Sequence, residues 1–353
     1  NMKHTFDSFV SKVFASFLGM FVVFGVSNTV LAGELKAIAV LVPEQGTDYG
    51  WNQQGVDAAR TVAEKYGLLF MPAEGLGYGD VRPTLRELAE EGASLMIAHA
   101  SGYNTAAPEI AQETGVPVAI VDTPQGLVPG LVTDYTLSGH DGAYMAGVLA
   151  AHMTRTGSVG IVVSGEPPSW NSQSAAFAMG VKAASGSAKI IYAVIGPAAY
   201  GDAAGGRRVT ESVISAGADV IFGQGNGSSF GMIQAVETTK AVDGGKVWFI
   251  DVIGDKTEID KGHLLSSVLW DMVPVYDAMV QDLMTGIFGT QGYQIGLEND
   301  SVRLLQSPHI PTDIWSELMD LRSKIISGEV NVPNISDAQE VRALMTSVDI
   351  NEG

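Results

Sequence analysis

The chain has 353 residues, 46% of them hydrophobic and 17% charged, which is long enough for two domains of ordinary size. It carries 20 Lys and Arg residues against 39 Asp and Glu residues, a formal net charge of -19. A charge of this sign repels nucleic acids and anionic membrane surfaces, so neither is expected as a partner.

Residues 1–32 carry the pattern of a secretory signal peptide. Lys3 and Lys12 make the beginning weakly basic, an apolar run covers 13–26, and small residues at 30–32 precede the expected cleavage point. A membrane anchor is the alternative, but the apolar run is shorter than the ~20 residues that span a bilayer. With no cysteine, the sequence offers no lipid attachment site, disulfide or thiolate metal site. We therefore expect an exported periplasmic protein without a lipid anchor.

After the leader, strand-like and helix-like segments alternate. The first group has apolar runs at 35–42, 68–73, 94–99 and 117–122, separated by predicted helices at 56–66, 82–91 and 105–114. A passage rich in Gly and Pro follows at 124–137. Alternation of this kind indicates parallel βαβ units with right-handed crossovers.

The same alternation starts again after residue 137. Predicted helices lie at 141–154, 172–184, 206–216 and 229–241, and they alternate with apolar runs at 158–164, 189–196, 218–223 and 246–254. The tail adds a strand at 264–269 and helices at 273–288 and 314–327. This second group is similar in size to the first.

Two α/β units of similar size predict two Rossmann-like lobes with parallel sheets. Too few elements follow residue 264 for a third domain, so the tail is expected to complete both lobes through a hinge that the chain crosses several times. This division assigns 33–130 plus 256–290 to the N-terminal lobe and 131–255 plus 291–353 to the C-terminal lobe. Because ligands of open α/β sheets bind at the carboxyl ends of the strands, we expect a cleft between the lobes.

Aromatic and polar residues recur where the predicted strands end. Singly, such aromatics usually pack and such Asp or Asn residues usually cap turns, but their shared position would place them around one cleft. Aromatic faces can stack on a flat heterocycle, and amide or carboxylate groups can pair with its nitrogens. The candidate ligand-binding residues are Tyr49, Trp51, Asn52, Tyr103, Asp122, Trp170, Tyr200, Asn226, Asp251 and Trp270.

Motifs for catalysis or cofactors are weak. Ser229 lies in a G-x-S-x-G sequence with Asp and His residues following in hydrolase order, but it comes several residues after its strand, so a helix-capping role is favoured. The Gly-rich loop at 223–228 lacks the third glycine of a dinucleotide fingerprint. The six histidines show no ligand-like spacing. We therefore expect no catalytic residue, cofactor or metal site.

Five segments are similar to the motifs of one known family. DYGWNQQG at 48–55 resembles its D-x-[GS]-[FW]-N-x-x-G opening, and HDGAYMAGVLAAHMTRTGSVGIV at 140–162 resembles its G-x-Y-x-A-G…T-x-T-G-x-V-G-x-V segment. GADVIFGQGNGSSFGMIQA at 217–235, VWFIDVIGD at 247–255 and IISGEVNVP at 325–333 resemble later family segments. Nearly all of the mature chain thus resembles the Bmp (basic membrane protein) family of ABC-transporter substrate-binding proteins, which implies a type I periplasmic-binding fold.

The resemblance also implies roles for single residues, because the best-known family members capture purine nucleosides. By position, Trp51 would be one stacking aromatic and Asn52 the adjacent amide that recognises the base. Asp122 matches the acid at the end of a family strand, and Tyr200 matches the second stacking aromatic, although that loop aligns loosely.

Two positions depart from the nucleoside-binding pattern. Ile253 stands where those members have an Asp for the sugar hydroxyls, and Trp270 stands where they have a ribose-binding Lys. Both departures would close the sugar pocket or make it apolar, which favours a free purine base over a nucleoside. A shifted alignment that gives Asp255 the sugar-binding role would reverse this expectation.

The sequence thus predicts a periplasmic solute-binding protein, monomeric and not an enzyme, that closes on a purine-type ligand and docks on an ABC permease of the inner membrane. A nucleoside or flavin ligand and a role as a periplasmic sensor are alternatives. Two enzymatic alternatives are a hydrolase that uses Ser229 and a nucleoside-cleaving enzyme that uses Asp48 and Asp122.

Overall fold

Two β-sheets organise residues 35–350, the residues described by this computed structural model. The predicted signal peptide at 1–32 lies outside the described residues. The strands are, in chain order, β1 (Ala37–Leu41), β2 (Leu69–Ala73), β3 (Leu95–Ala98), β4 (Val118–Val121), β5 (Val132–Leu137), β6 (Ser158–Val163), β7 (Lys189–Val194), β8 (Val220–Gln224), β9 (Trp248–Ile253), β10 (Leu264–Trp270), β11 (Tyr293–Ile295), β12 (Val302–Leu304) and β13 (Ser347–Ile350).

Ten α-helices connect these strands within residues 35–350. They are α1 (Trp51–Lys65), α2 (Arg82–Glu90), α3 (Ala106–Thr114), α4 (His140–Met153), α5 (Pro168–Ala184), α6 (Ala203–Ser215), α7 (Ser229–Thr238), α8 (Val273–Thr285), α9 (Thr312–Ser327) and α10 (Ala338–Ala343). Among these residues, no helix combines the length and the apolar character that a bilayer span requires.

The six-stranded sheet has the order β11-β5-β4-β3-β1-β2, and all its pairs are parallel. The seven-stranded sheet has the order β12-β10-β9-β8-β6-β7-β13, and only β12 runs antiparallel to its neighbour β10. Parallel strands joined by crossover helices form the two lobes that the alternating pattern predicts.

Helices cover both faces of each sheet, which explains the continuous apolar runs in the sequence. All five residues of β1 are buried. Ile38 and Val40 lie in the cluster that contains the apolar side chains of α1, whereas Ala39 and Leu41 lie in the cluster that contains those of α2 and α3. A strand buried on both faces needs apolar residues at every position, so it does not alternate between apolar and polar residues.

The chain crosses between the lobes three times, between β5 and α4, between β10 and α8, and between β11 and β12. α4 packs on α5 and β10 of the second lobe, whereas α8 packs on α1 of the first lobe. This arrangement is an α/β fold of two lobes joined by a hinge with several crossings.

The sheets divide the chain differently from the ranges expected from the sequence. β5 and β11 belong to the first sheet, although they lie in the ranges 131–255 and 291–353 that were assigned to the C-terminal lobe. β10 belongs to the second sheet, although it lies in the range 256–290 that was assigned to the N-terminal lobe. The ranges differ because each crossing follows the end of a strand. The apolar pattern indicates where a strand lies, but it does not show which sheet that strand joins.

Candidate functional site

A cavity of about 730 Å³ lies between the carboxyl ends of the two sheets. Pockets for small ligands typically measure about 300–1,000 Å³, so the cavity has a suitable size. The first lobe contributes Pro43, Trp51, Tyr78, Ala100, Ser101, Gly102, Val121, Asp122, Thr136 and Leu137. The second lobe contributes Pro167, Pro168, Ser169, Trp170, Ser172, Tyr200, Asn226, Ile253, Trp270, Asn334 and Ser336.

Trp51 is held firmly in the cavity wall by the residue behind it. α1 begins at Trp51 and not at the expected residue 56, so this side chain projects from the first helical turn. Its indole stacks on the ring of His99 with a centroid separation of 3.6 Å and an interplanar angle of 10°. The indole N–H donates to the carbonyl of His99 at 2.9 Å. One face and the polar atom of this indole are therefore fixed by the protein.

His99 is a buried, neutral support. Its Nε2 lies 2.8 Å from the Trp51 carbonyl, which can only accept, so Nε2 carries the proton. Its Nδ1 therefore accepts from the Tyr135 hydroxyl at 2.6 Å. Complete burial lowers the pKa of His99 to about 3. A Cβ at Gly55 would overlap the His99 ring, so the helix must carry glycine there for the ring to reach Trp51.

Among the described residues, Asp122 is the only charged side chain that lines the cavity. Its backbone adopts a left-handed conformation with φ 51, which Asp and Asn tolerate better than most residues. One carboxylate oxygen accepts the N–H of Leu137 at 2.8 Å. The carboxylate is open to water in the cavity, but the surrounding walls partly desolvate it and raise its pKa, and Asp134 raises the pKa further. The site thus offers a negative acceptor.

Three further aromatic residues line the cavity from the second lobe. Trp170 and Tyr200 contact each other edge to face, with ring centroids 5.3 Å apart. Trp270, at the end of β10, meets Trp51 edge to face at 6.2 Å. The indole N–H of Trp270 is buried and has no hydrogen-bond partner among the described residues. Aromatic rings from both lobes therefore converge on one space.

Asn226 and Tyr49 link the two lobes at the cavity. The side-chain oxygen of Asn226, in the second lobe, accepts the backbone N–H of Trp51 at 3.3 Å. A Cβ at Gly254 would overlap the carbonyl oxygen of Tyr49, so the two backbones meet directly. The buried Lys256 places its ammonium 3.5 Å from the same carbonyl. The lobes are thus closed against each other.

Four of the expected site residues do not line the cavity. In two of them, the polar side-chain atoms already form hydrogen bonds with nearby residues. The Asn52 side chain is 2% exposed, donating to Asp48 at 2.9 Å and accepting the N–H of Glu44 at 3.3 Å. Tyr103 is fully buried and donates to the carbonyl of Gly77 at 2.6 Å. Neither side chain has polar capacity directed at the cavity.

The other two, Asp251 and Tyr49, act at the contact between the lobes. Asp251 is buried in an ion pair with Lys256. Tyr49 donates its hydroxyl hydrogen to Glu258 at 3.3 Å, and its ring meets Phe230 edge to face. Neither side chain lines the cavity: Tyr49 contacts the second lobe directly, whereas Asp251 lies within β9 and pairs with Lys256 of its own lobe.

Ser229 lies in a setting unlike a catalytic elbow. It is 1% exposed and occupies the first position of α7, and no hydrogen bond joins it to a histidine within residues 35–350. Ser228 precedes it as the capping residue, but its hydroxyl donates to the Gly225 carbonyl at 2.9 Å and accepts no N–H from the first turn of α7. In the same range, no group of three or more His, Asp or Glu side chains could hold a metal ion.

Several cavity residues carry a weaker sequence signal than the aromatics. Ser101 follows β3, so its position alone could have identified it, whereas Thr136 lies in β5, a strand that the sequence did not predict. Tyr78 lies in a glycine-rich loop, and Asn334 lies in an irregular segment far along the chain. His99 ends an apolar run, but nothing in the sequence shows that it supports Trp51.

Comparisons with known proteins match this architecture along the chain. Basic membrane protein A1 of Borrelia garinii is 23% identical over 316 residues, which cover 88% of this chain and 92% of the relative. An ABC transporter solute-binding protein of Aeropyrum pernix superimposes with a TM-score of 0.73 at 18% identity, covering 87% of this chain and 96% of the other. The corresponding Conexibacter woesei protein gives a TM-score of 0.71 at 19% identity, covering 86% and 100%.

These likenesses in structure establish the type I periplasmic-binding fold. The sequence model of one family, described as Bmp, ABC transporter substrate-binding protein PnrA-like, matches residues 35–336. That range contains the whole first sheet, every strand of the second sheet except β13, all three hinge crossings and all the residues that line the cavity. The chain therefore belongs to the Bmp family of PnrA-like ABC transporter substrate-binding proteins.

Proposed function

We propose that the chain captures a purine-type heterocycle between its lobes and delivers it to an ABC permease, with a free base such as adenine or guanine preferred over a nucleoside. The observation that carries this proposal is the composition of the cavity wall. Aromatic side chains from both lobes surround the space, and within residues 35–350 Asp122 is its only charged lining residue.

The aromatic rings favour a flat ligand. Trp51 is fixed from behind by His99, so little conformational freedom is lost when a ring stacks on it. Trp170 and Tyr200 line the opposite lobe. Stacking of a base on an aromatic side chain is worth about 1–3 kcal/mol, which makes the rings the main source of affinity.

The charge of the wall favours a ligand that donates N–H groups. Asp122 accepts hydrogen bonds when ionised, and its second carboxylate oxygen has no partner among the described residues. In the part of the chain that the structure describes, no Lys or Arg side chain lines the cavity. Phosphates and carboxylates are usually bound by such cations, so a nucleotide or an acidic ligand fits poorly.

The preference for a base over a nucleoside rests on Ile253 and Trp270. Both line the cavity and both are about 1% exposed. The resemblance to nucleoside-binding members implies an Asp and a Lys for the sugar at these positions. An apolar side chain in place of each would leave sugar hydroxyls without partners, which is costly in a closed site. The volume of about 730 Å³ admits either ligand, so the chemistry of the wall decides.

Calorimetric titration of ligand-stripped protein with adenine, guanine, adenosine and guanosine tests this proposal. We expect tight binding of a base and at least about tenfold weaker binding of the matching nucleoside, since one unpaired buried polar group costs about 1–3 kcal/mol. In an Ile253→Asp variant the nucleoside should gain affinity relative to the base. Tighter nucleoside binding by the native protein would contradict the base preference, and no binding of any of the four would contradict the purine assignment.

We also propose that the protein acts in the periplasm as a monomer and is a binding protein, not an enzyme. Membership of a substrate-binding family supports a small-molecule ligand and a membrane permease as partners. Incubation with adenosine distinguishes binding from cleavage, because a binding protein returns the nucleoside intact. Recovery of free adenine and ribose would favour the nucleoside-cleaving alternative.

A further inference from the structure

The chain continues beyond residue 336, where the family match ends, and forms α10 and β13. β13 adds a parallel strand beside β7 at the edge of the second sheet. Val341, in α10, is fully buried in the main apolar cluster. The segment that leads into these elements carries Asn334 and Ser336, which line the cavity. The C-terminal segment, defined here as residues 334–350, therefore starts in the ligand cavity and is anchored outside it.

This segment is tied to the first turns of α5. The side-chain amide of Asn171 donates to the carbonyl of Ser336 at 2.8 Å and to that of Glu166 at 3.2 Å. The hydroxyl of Ser172 donates to the side chain of Asn334. The start of α5 forms a continuous part of the cavity wall, from Pro167 to Trp170. The C-terminal segment and the wall that carries Trp170 thus share one hydrogen-bond network.

An ion pair also joins α10 to the residue that precedes this part of the wall. The guanidinium of Arg342, in α10, lies 2.8 Å from the carboxylate of Glu166, and the two side chains are only 18% and 24% exposed. The Tyr192 hydroxyl donates to the same carboxylate at 3.1 Å. Glu166 directly precedes Pro167, the first wall residue. Arg342 itself does not touch the cavity.

We propose that the C-terminal segment is part of the ligand site and that Arg342 is a positioning residue, which holds the wall 167–170 in place through Glu166. Without the Arg342 charge, the Glu166 carboxylate loses its ion pair and the wall can move. Trp170 then spends less time in the position in which it contacts the ligand. The choice of adenine as titrant below rests on the proposed function, whereas the positioning role does not.

Arg342→Gln tests this role against a matched control, Arg86→Gln. Arg86 pairs with Glu113 at 2.8 and 3.1 Å on the exposed surface of the other lobe, away from the cavity. Hydrogen exchange of the ligand-free proteins should show faster exchange at 166–172 in Arg342→Gln and no change there in Arg86→Gln. Adenine affinity should fall about fivefold in Arg342→Gln only, as expected for a coupled residue outside the site.

Unchanged exchange at 166–172 and unchanged adenine affinity in Arg342→Gln would overturn the proposal. A lower melting temperature with native adenine affinity would also overturn it, because the ion pair would then stabilise the fold without affecting the ligand site. If Arg342→Gln does not fold, Glu166→Gln breaks the same ion pair while keeping an acceptor for Tyr192. If the native protein does not bind adenine, the proposed function fails. The rate of hydrogen exchange at 166–172 in the ligand-free proteins then decides the positioning role by itself.

Discussion

At the residue scale, the site depends on which polar groups still lack a partner. Six of the candidate residues reach the cavity, namely Trp51, Asp122, Trp170, Tyr200, Asn226 and Trp270. Their position after predicted strands was sufficient to find them. Asn52 shares that position, but its amide is already bonded to Asp48 and Glu44. The sequence alone does not show that these polar atoms already have hydrogen-bond partners, because the partners depend on how the turn folds.

Asp122→Asn separates the charge of this residue from its shape. Asn keeps an oxygen for the Leu137 N–H and tolerates the left-handed backbone at φ 51. If the ligand donates an N–H to the carboxylate, calorimetry should show affinity reduced about tenfold, because hydrogen bonds to charged groups are worth about 1.5–3 kcal/mol. Native affinity in this variant would show that the ligand does not use the carboxylate.

The same variant should change stability with pH. The folded-state pKa of Asp122 is raised above its ordinary value of 3.8, mainly by desolvation. Its contribution to stability is therefore complete below pH 3.8 and is lost as the pH rises through the folded-state pKa. Without ligand, Asp122→Asn should melt at a higher temperature than the native protein at pH 7, and the difference should shrink in acid. A lower melting temperature at pH 7 would contradict this sign.

At the element scale, helix α1 places the stacking residue. The sequence predicted a helix from residue 56, but α1 begins at Trp51 and its fifth residue is Gly55. Gly and Asn weaken the helical signal there, although tertiary contact with His99 favours the glycine. β5 was also hidden, because it lies within a passage rich in Gly and Pro and because one of its two partner strands, β11, is distant in the chain.

Gly55→Ala tests the support of Trp51. Alanine favours a helix by about 1 kcal/mol over glycine, but the new Cβ would overlap the His99 ring. We expect His99 and Trp51 to shift together, which should weaken adenine binding about tenfold or more and lower the melting temperature. Gly186→Ala is the control, because that exposed glycine has no atom near its would-be Cβ. Equal, native-like binding in both variants would show that the stacked pair is not needed.

At the scale of the whole molecule, the two lobes meet across the cleft where Tyr49 of the first lobe approaches Gly254 and Lys256 of the second. The alternating pattern predicted the two lobes, whereas the repeated hinge crossings were inferred from the small number of elements after residue 264. It did not identify Gly254 and Lys256 as the residues that meet Tyr49, because this contact depends on how the finished lobes approach each other. Closure is therefore a property of the assembled chain.

Gly254→Ala should hold the cleft open without disturbing either lobe. A Cβ there would overlap the Tyr49 carbonyl of the opposite lobe, and Gly254 does not adopt a left-handed backbone. Small-angle scattering should give a larger radius of gyration than for the native protein with adenine present, and adenine binding should weaken. Gly186→Ala should behave as native in both measurements. A native radius and affinity in Gly254→Ala would show that closure does not require this contact.

The central claim is that the cleft holds a neutral purine-type ring. Mass spectrometry of the small molecule released on denaturation tests it most directly, using protein purified without added ligand, because the protein itself then selects the compound. We predict release of a purine base such as adenine or guanine. Release of a phosphorylated or carboxylate-bearing compound, or of one without a purine-like ring, would contradict the claim.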